Sequence, residues 1–136
     1  MVRLIMGMKG SGKTKQLIEL VNNAAKNENG SVVCIEADSN MTYDIHYNIR
    51  LIDAQEYKLS SYDLVRGFIS GLYAGNYDIA QVFVDNLCKM VGSDVNKDTE
   101  SFLNWLDAFG EKNGIKFTVT ISAEESAATE GMKKYM

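Results

Sequence analysis

The 136-residue sequence has no proline, a single histidine and only two cysteines. One imidazole, His46, cannot form a zinc site with Cys34 and Cys88, which make neither a CxxC pair nor a ligand cluster. Each cysteine lies in or beside an apolar run, so buried thiols in a reducing cytoplasm are expected rather than a disulfide. No apolar stretch approaches the roughly eighteen residues of a membrane span. The opening Met1-Val2-Arg3-Leu4-Ile5-Met6 is too short for a signal peptide and runs straight into a glycine-rich loop. A cytoplasmic protein with no membrane partner is therefore expected. Excess positive charge is missing too: the net charge of −4 argues against a general nucleic-acid binder, which would show a basic face. Basic residues crowd only one place, the N-terminal end, as Arg3, Lys9, Lys13 and Lys15.

What is present describes an ordinary folded chain, 46% hydrophobic and 24% charged. At this length folding hides roughly two-thirds of the unfolded surface, so no metal or disulfide staple is required. No linker, repeat or low-complexity segment divides the sequence, and a single domain over residues 1–136 is expected, with 123–136 as a loosely docked helical tail.

Hydrophobic patterning then sets the elements. Val2 to Met6 reads as a buried parallel strand ending at Gly7. From Lys13 to Asn27, Leu17, Ile18, Leu20, Val21, Ala24 and Ala25 recur at helical spacing, and the helix should stop at Asn29-Gly30 through a left-handed glycine. Ser31 to Ile35 is a second buried strand with Glu36 and Asp38 at its carboxyl end. Tyr43, Ile45, Tyr47, Ile49 and Leu51 alternate with polar residues, which predicts a half-exposed strand over 43–51, at a sheet edge or in a hairpin. Ser60 and Asp63 read as a capping box for a helix carrying Leu64, Val65, Phe68, Ile69, Leu72 and Tyr73. Ile79 to Val84 forms a third buried strand ending at Asp85. Thr99 is expected to cap a helix that stops at Asn113-Gly114, and Ile115 to Ile121 is the last strand, ending at Ser122. Strands alternating with helices predict an α/β fold: a mostly parallel sheet of about five strands with helices on both faces.

The chemistry is carried by Gly7-Met8-Lys9-Gly10-Ser11-Gly12-Lys13-Thr14. This matches the phosphate-binding loop G-x-x-x-x-G-K-[ST] at every fixed position. Glycines let the backbone curl around phosphate oxygens, and the helix opening at Lys13 offers unpaired amides and a positive dipole end. Lys13 is placed to reach the β- and γ-phosphates of a nucleoside triphosphate, and the Thr14 hydroxyl to ligate magnesium. By residue frequencies alone the pattern recurs in roughly one chain of this length in a few hundred. Here an apolar strand precedes it and an amphipathic helix follows, as the motif requires. Asp85, ending an apolar strand, is the candidate carboxylate on the magnesium side.

With those two segments the chain resembles the P-loop NTPase superfamily, and the RecA-like branch in particular. The resemblance implies a three-layer α/β/α fold, with ATP and Mg2+ as ligands. In bacterial recombinases a short I-D-A-E segment holds the carboxylate that orients the attacking water. Ile35-Glu36-Ala37-Asp38 is similar to it, which implies a catalytic role for Asp38, with Glu36 close by. Ser122, or failing that Thr120, ends the last strand where related proteins keep a polar sensor of the γ-phosphate. The chain also resembles small clostridial-type ATP-binding proteins labelled "twitching motility" proteins. Its residues do not support the implied kinship with pilus-retraction motors, which carry an additional domain and histidine-containing boxes.

Two departures stand out. Many ATPases of the class place glutamate directly after the strand-end aspartate, but here Asn86 follows Asp85, and an amide cannot act as a general base. No arginine-finger position is identifiable beyond the candidates Arg50 and Arg66. The expected activity is Mg-dependent ATP binding with slow or partner-dependent hydrolysis, in association with a protein partner or as a homo-oligomer. Two alternatives remain open. A nucleoside or nucleotide kinase fits Ser11-Gly12-Lys13-Thr14 but lacks the four-cysteine zinc lasso of thymidine kinase and the arginine-rich lid of other kinases. A non-hydrolysing interaction module would use Tyr43, Tyr47 and Tyr57 as contact surface.

Overall fold

The computed structural model describes residues 1–38, 45, 46 and 48–136. In chain order the elements are β1 (Val2–Gly7), α1 (Lys13–Asn27), β2 (Ser31–Glu36), β3 (Arg50–Asp53), α2 (Tyr62–Gly75), β4 (Ile79–Asp85), α3 (Leu87–Val91), α4 (Lys97–Asn113) and β5 (Lys116–Ser122). Two short 3-10 turns, Glu125–Ala127 and Glu130–Tyr135, complete it. All five strands are parallel in one sheet ordered β1-β5-β4-β2-β3.

That order explains the layers. From β1 the chain crosses over β5 and β4 to reach β2, and α1 makes that crossing. From β3 it returns step by step toward β1, through α2 to β4 and through α4 to β5. Parallel crossovers are right-handed, so travel in opposite directions puts the helices on opposite faces. Leu17, Val21 and Ala24 of α1 pack with Val32, Cys34 and Phe83 on one face. Val65 and Ile69 of α2 and Phe102, Leu103 and Leu106 of α4 pack with Val33, Ile35, Val82, Val84 and Val119 on the other. The fold is the P-loop NTPase-like three-layer α/β/α arrangement. Because β2 and β4 are covered on both sides, their central residues are apolar runs, Val32 to Ile35 and Val82 to Val84. Every strand also ends at the same edge of the sheet, where Gly7, Glu36, Asp53, Asp85 and Ser122 stand.

Several local expectations need correction. The strand expected over 43–51 begins only at Arg50 and runs to Asp53 as the edge strand beside β2. Tyr43 and Tyr47 lie outside the described residues. Ile45 and Ile49 instead pack on the α1 side, with a turn from the Ile49 amide to the His46 carbonyl (3.0 Å) and the His46 amide bonded to Asn22 Oδ1 (2.8 Å). Ile45 and Ile49 are therefore inward-facing through their packing with α1, outside any strand. The cap of α2 is Ser61, whose hydroxyl accepts from the Leu64 amide, while Asp63 pairs with Arg66. The cap of α4 is Asn96, in a capping box in which Thr99 is the third helical residue. Gly30 has no positive φ; it is small because a Cβ there would run into the Asp78 carbonyl and Ala80. Residues 123–136 form 3-10 turns that are firmly seated: Met132 is buried, Tyr135 donates to Asn104 (2.6 Å) and Thr129 to Glu100 (2.6 Å).

Candidate functional site

At the carboxyl edge of the sheet lies an open cleft of about 1040 Å3. This is where open α/β sheets bind ligands, since loops and helix starts converge there. One wall is the loop after β1. It turns on Gly10 (φ 88°) and Gly12 (φ 89°), a conformation in which a side chain is strained, and the Ser11 amide closes on the Met8 carbonyl at 3.0 Å. At Gly7 a Cβ would stand 2.5 Å from Ser11 Oγ, so any larger residue there would have to displace the Ser11 side chain. Met8, Lys9, Gly10, Ser11, Gly12 and Thr14 are all exposed.

Lys13 is the exception, only 9% exposed. Its ammonium lies in the cleft floor, bonded to the Met8 carbonyl at 3.2 Å. A neutral carbonyl does little to balance such a cation; the Asp85 carboxylate across the cleft feels its charge, and an anion entering the cleft would compete for it.

The opposite wall is built from β4, α3 and the end of β2. Asp85 accepts a hydrogen bond from the Thr120 hydroxyl at 2.8 Å, and the same hydroxyl accepts from the Asn86 amide at 2.8 Å. Interposed between β1 and β4, β5 thus brings Thr120 to clamp the acid across from the loop. Burial raises the Asp85 pKa above the ordinary carboxylate value, and the charge of Asp38 pushes the same way; the Thr120 hydrogen bond and the Lys13 ammonium pull against them. Asp38 lines the cleft and pairs with Lys89 of α3, Oδ2 to Nζ at 2.7 Å.

The sequence candidates therefore separate. Lys9, Gly10, Gly12, Lys13, Thr14, Asp38, Asp85 and Ser122 share the cleft lining. Glu36 does not: it is 1% exposed, between Asp53 on β3 and Asp85 on β4 in register, and has interactions of its own. Thr120 is fully buried as the clamp on Asp85, leaving Ser122 as the hydroxyl that lines the cleft at the end of β5. Arg66 is occupied by Asp63 at 2.8 Å and lies over the Phe102 ring; Arg50 lines a different cavity near the start of β2. Neither reaches the cleft. Tyr57 is exposed but leans on Phe68, with ring centroids 5.3 Å apart. Cys34 is buried as expected, its thiol pushed far above its usual pKa chiefly by that burial, whereas half-buried Cys88 lines the cleft.

Asn86 adopts the left-handed conformation (φ 59°, ψ 55°), which asparagine tolerates better than glutamate. Its buried Oδ1 has no hydrogen-bond partner among the described residues. Sequence reasoning missed Lys89 and the clamp role of Thr120. The signal for Lys89 was its position four residues after Asp85, but only the fold shows that α3 turns it toward Asp38.

For a metal, no group of three or more His, Cys, Asp or Glu gathers among the described residues. The cleft does offer a hydroxyl, Thr14, and a carboxylate, Asp85. That sparse set fits magnesium, which keeps waters and takes phosphate oxygens as its main ligands.

No family model matches the sequence, and no curated protein matches it. Among solved structures the chain is similar to the flagellar accessory protein FlaH from Methanocaldococcus jannaschii, with a TM-score of 0.59 and 14% identity. The match covers 93% of this chain and 64% of that one. The likeness shows the fold. No helix among the described residues is long and apolar enough to cross a membrane.

Proposed function

We propose that this chain binds ATP with magnesium in the cleft and hydrolyses it slowly, or at speed only when a partner or a second copy completes the site. The observation that carries this reading is Lys13, nearly buried yet lining a cleft that Gly10, Gly12 and Asp85 also line. Backbone from Gly7 to Gly12 cradles the phosphates, with Met8, Lys9 and Ser11 as its intervening residues, and Lys13 neutralises the β- and γ-oxygens. Thr14 and Asp85 hold the magnesium side, and Ser122 faces the terminal phosphate. Magnesium, when bound, supplies charge neutralisation on the phosphate oxygens.

Asp38 serves as the carboxylate that orients water and receives its proton. Asn86 cannot take that role, and Glu36 is walled off from the cleft. Among the described residues no arginine lines the cleft, which fits slow hydrolysis unless a partner or a second copy completes the site. The test is turnover in purified protein. Asp38→Asn keeps Mg-ATP affinity within about twofold and lowers turnover by about 10²–10⁴-fold, the range of a positioned general base. Unchanged turnover in that variant defeats the assignment of Asp38.

A further inference from the structure

We infer that Lys89 is a cationic finger supplied by the chain itself: it leaves Asp38 for the terminal phosphate when a triphosphate is bound, so that one side-chain movement both frees the base and neutralises the reacting group. This inference rests on the reading of the cleft as a triphosphate site.

The cleft lining contains four lysines, Lys9, Lys13, Lys15 and Lys89. The first three belong to the loop and the first turn of α1, on one wall. Lys89 alone among them comes from the other wall, on α3, with Asp85 and Asn86 directly before that helix. The two arginines farther along the chain are elsewhere, one held by Asp63 and the other at the opposite end of the sheet. Among the described residues, positive charge on the side of the cleft away from the loop therefore comes from Lys89.

Lys89 is also free to move. Its side chain is 57% exposed, and its pairing with Asp38, itself 26% exposed, is a single contact at 2.7 Å. An ion pair with one partner so exposed is screened by solvent and holds weakly. A triphosphate brings several negative charges to the cleft, against one on Asp38, and the flexible lysine stem can reorient toward the stronger field. Phosphoryl transfer gains most from cations placed where the γ-oxygens develop charge. In the step itself the water oxygen bonds to the γ-phosphorus, the bond to the β–γ bridging oxygen breaks with its electrons staying on ADP, and the water proton passes to Asp38 and then to solvent. Lys89 on Asp38 would hinder that last transfer; Lys89 on the phosphate favours it. In a diphosphate complex there is no γ-group to draw Lys89 away, so the pair with Asp38 persists.

The test compares wild type, Lys89→Ala and Lys89→Arg by calorimetry with Mg-ADP and with a non-hydrolysable Mg-ATP analogue, and by turnover of Mg-ATP. Lys89→Ala is expected to weaken the triphosphate analogue about tenfold while ADP affinity stays within twofold, and to lower turnover at least tenfold; Lys89→Arg restores most of both. Equal effects on the two nucleotides, no effect, or faster turnover in Lys89→Ala overturn the inference, the last because it would make Lys89 a simple brake on Asp38. Lys13→Ala separates the two levels. If wild type binds both nucleotides and only Lys13→Ala loses them, the triphosphate site stands whatever Lys89 does. If wild type binds neither, the site and the finger fall together.

Discussion

The two walls of the cleft reach the same place by different routes. The loop wall is local: eight consecutive residues, Gly7 to Thr14, place a buried lysine and an exposed hydroxyl by backbone geometry, with left-handed glycines at Gly10 and Gly12. The opposite wall is assembled from distant segments. Asp85 needs Thr120, 35 positions away, and Asp38 meets Lys89 across 51 positions. A local wall is fixed by which residues can adopt its turns; an assembled wall is only as well placed as the sheet register that holds β4 between β2 and β5. Changes on the assembled wall should therefore trade stability against function, which the loop wall has less room to do.

The largest effect that sharpens this contrast concerns Asp85. Its pKa is raised in the folded chain, mainly by burial. A carboxylate in that state binds protons more readily folded than unfolded, so stability falls as pH rises between the unfolded and folded pKa values, and the full cost is present above the folded value. Asp85→Asn keeps an acceptor for Thr120 and removes the buried charge. The nucleotide-free variant is expected to melt higher than wild type at neutral pH, with a flatter pH dependence. It should at the same time lose the magnesium enhancement of ATP affinity. Thermal melts from acid to neutral pH check the first part, and titrations with and without magnesium the second. A lower melting temperature at neutral pH, with no change in acid, would mean that the charge is stabilising where it stands.

A smaller effect sharpens the glycine side of the contrast. Gly67 and Gly71 lie inside α2, have no positive φ, and an added Cβ meets nothing within 4 Å at either. Neither is required by geometry, unlike the loop glycines. Gly67→Ala and Gly71→Ala should each stabilise by about 0.5–1 kcal/mol through helix propensity and leave nucleotide affinity unchanged. Denaturant midpoints decide it; destabilisation would mean that α2 needs close approach by something at those positions.

The same division sets how much was legible in the sequence. The loop, α1 and the buried strands are local patterns, and they stand where apolar runs and helical spacing put them. Lys13 and Thr14 followed from one motif, and Asp85 from a strand that ends in an acid. Glu36 and Asp38, two residues apart on the same strand end, were not separable: only the fold shows one walled between neighbouring strands and the other facing the cleft. The region around Ile45 and Ile49 misled because period two is also what a turn anchored on a helix can show. Caps were displaced by one and three residues, at Ser61 and Asn96, because neighbouring polar residues offer equivalent hydrogen bonds until the helix start is set by packing.

The central claim is that the Lys13 cleft is a triphosphate site. Calorimetric titration of the purified chain with Mg-ATP, beside Lys13→Ala, tests it most directly. Saturable one-to-one binding that Lys13→Ala weakens at least a hundredfold is the expected result; no heat up to millimolar nucleotide, or equal binding by both proteins, would contradict it.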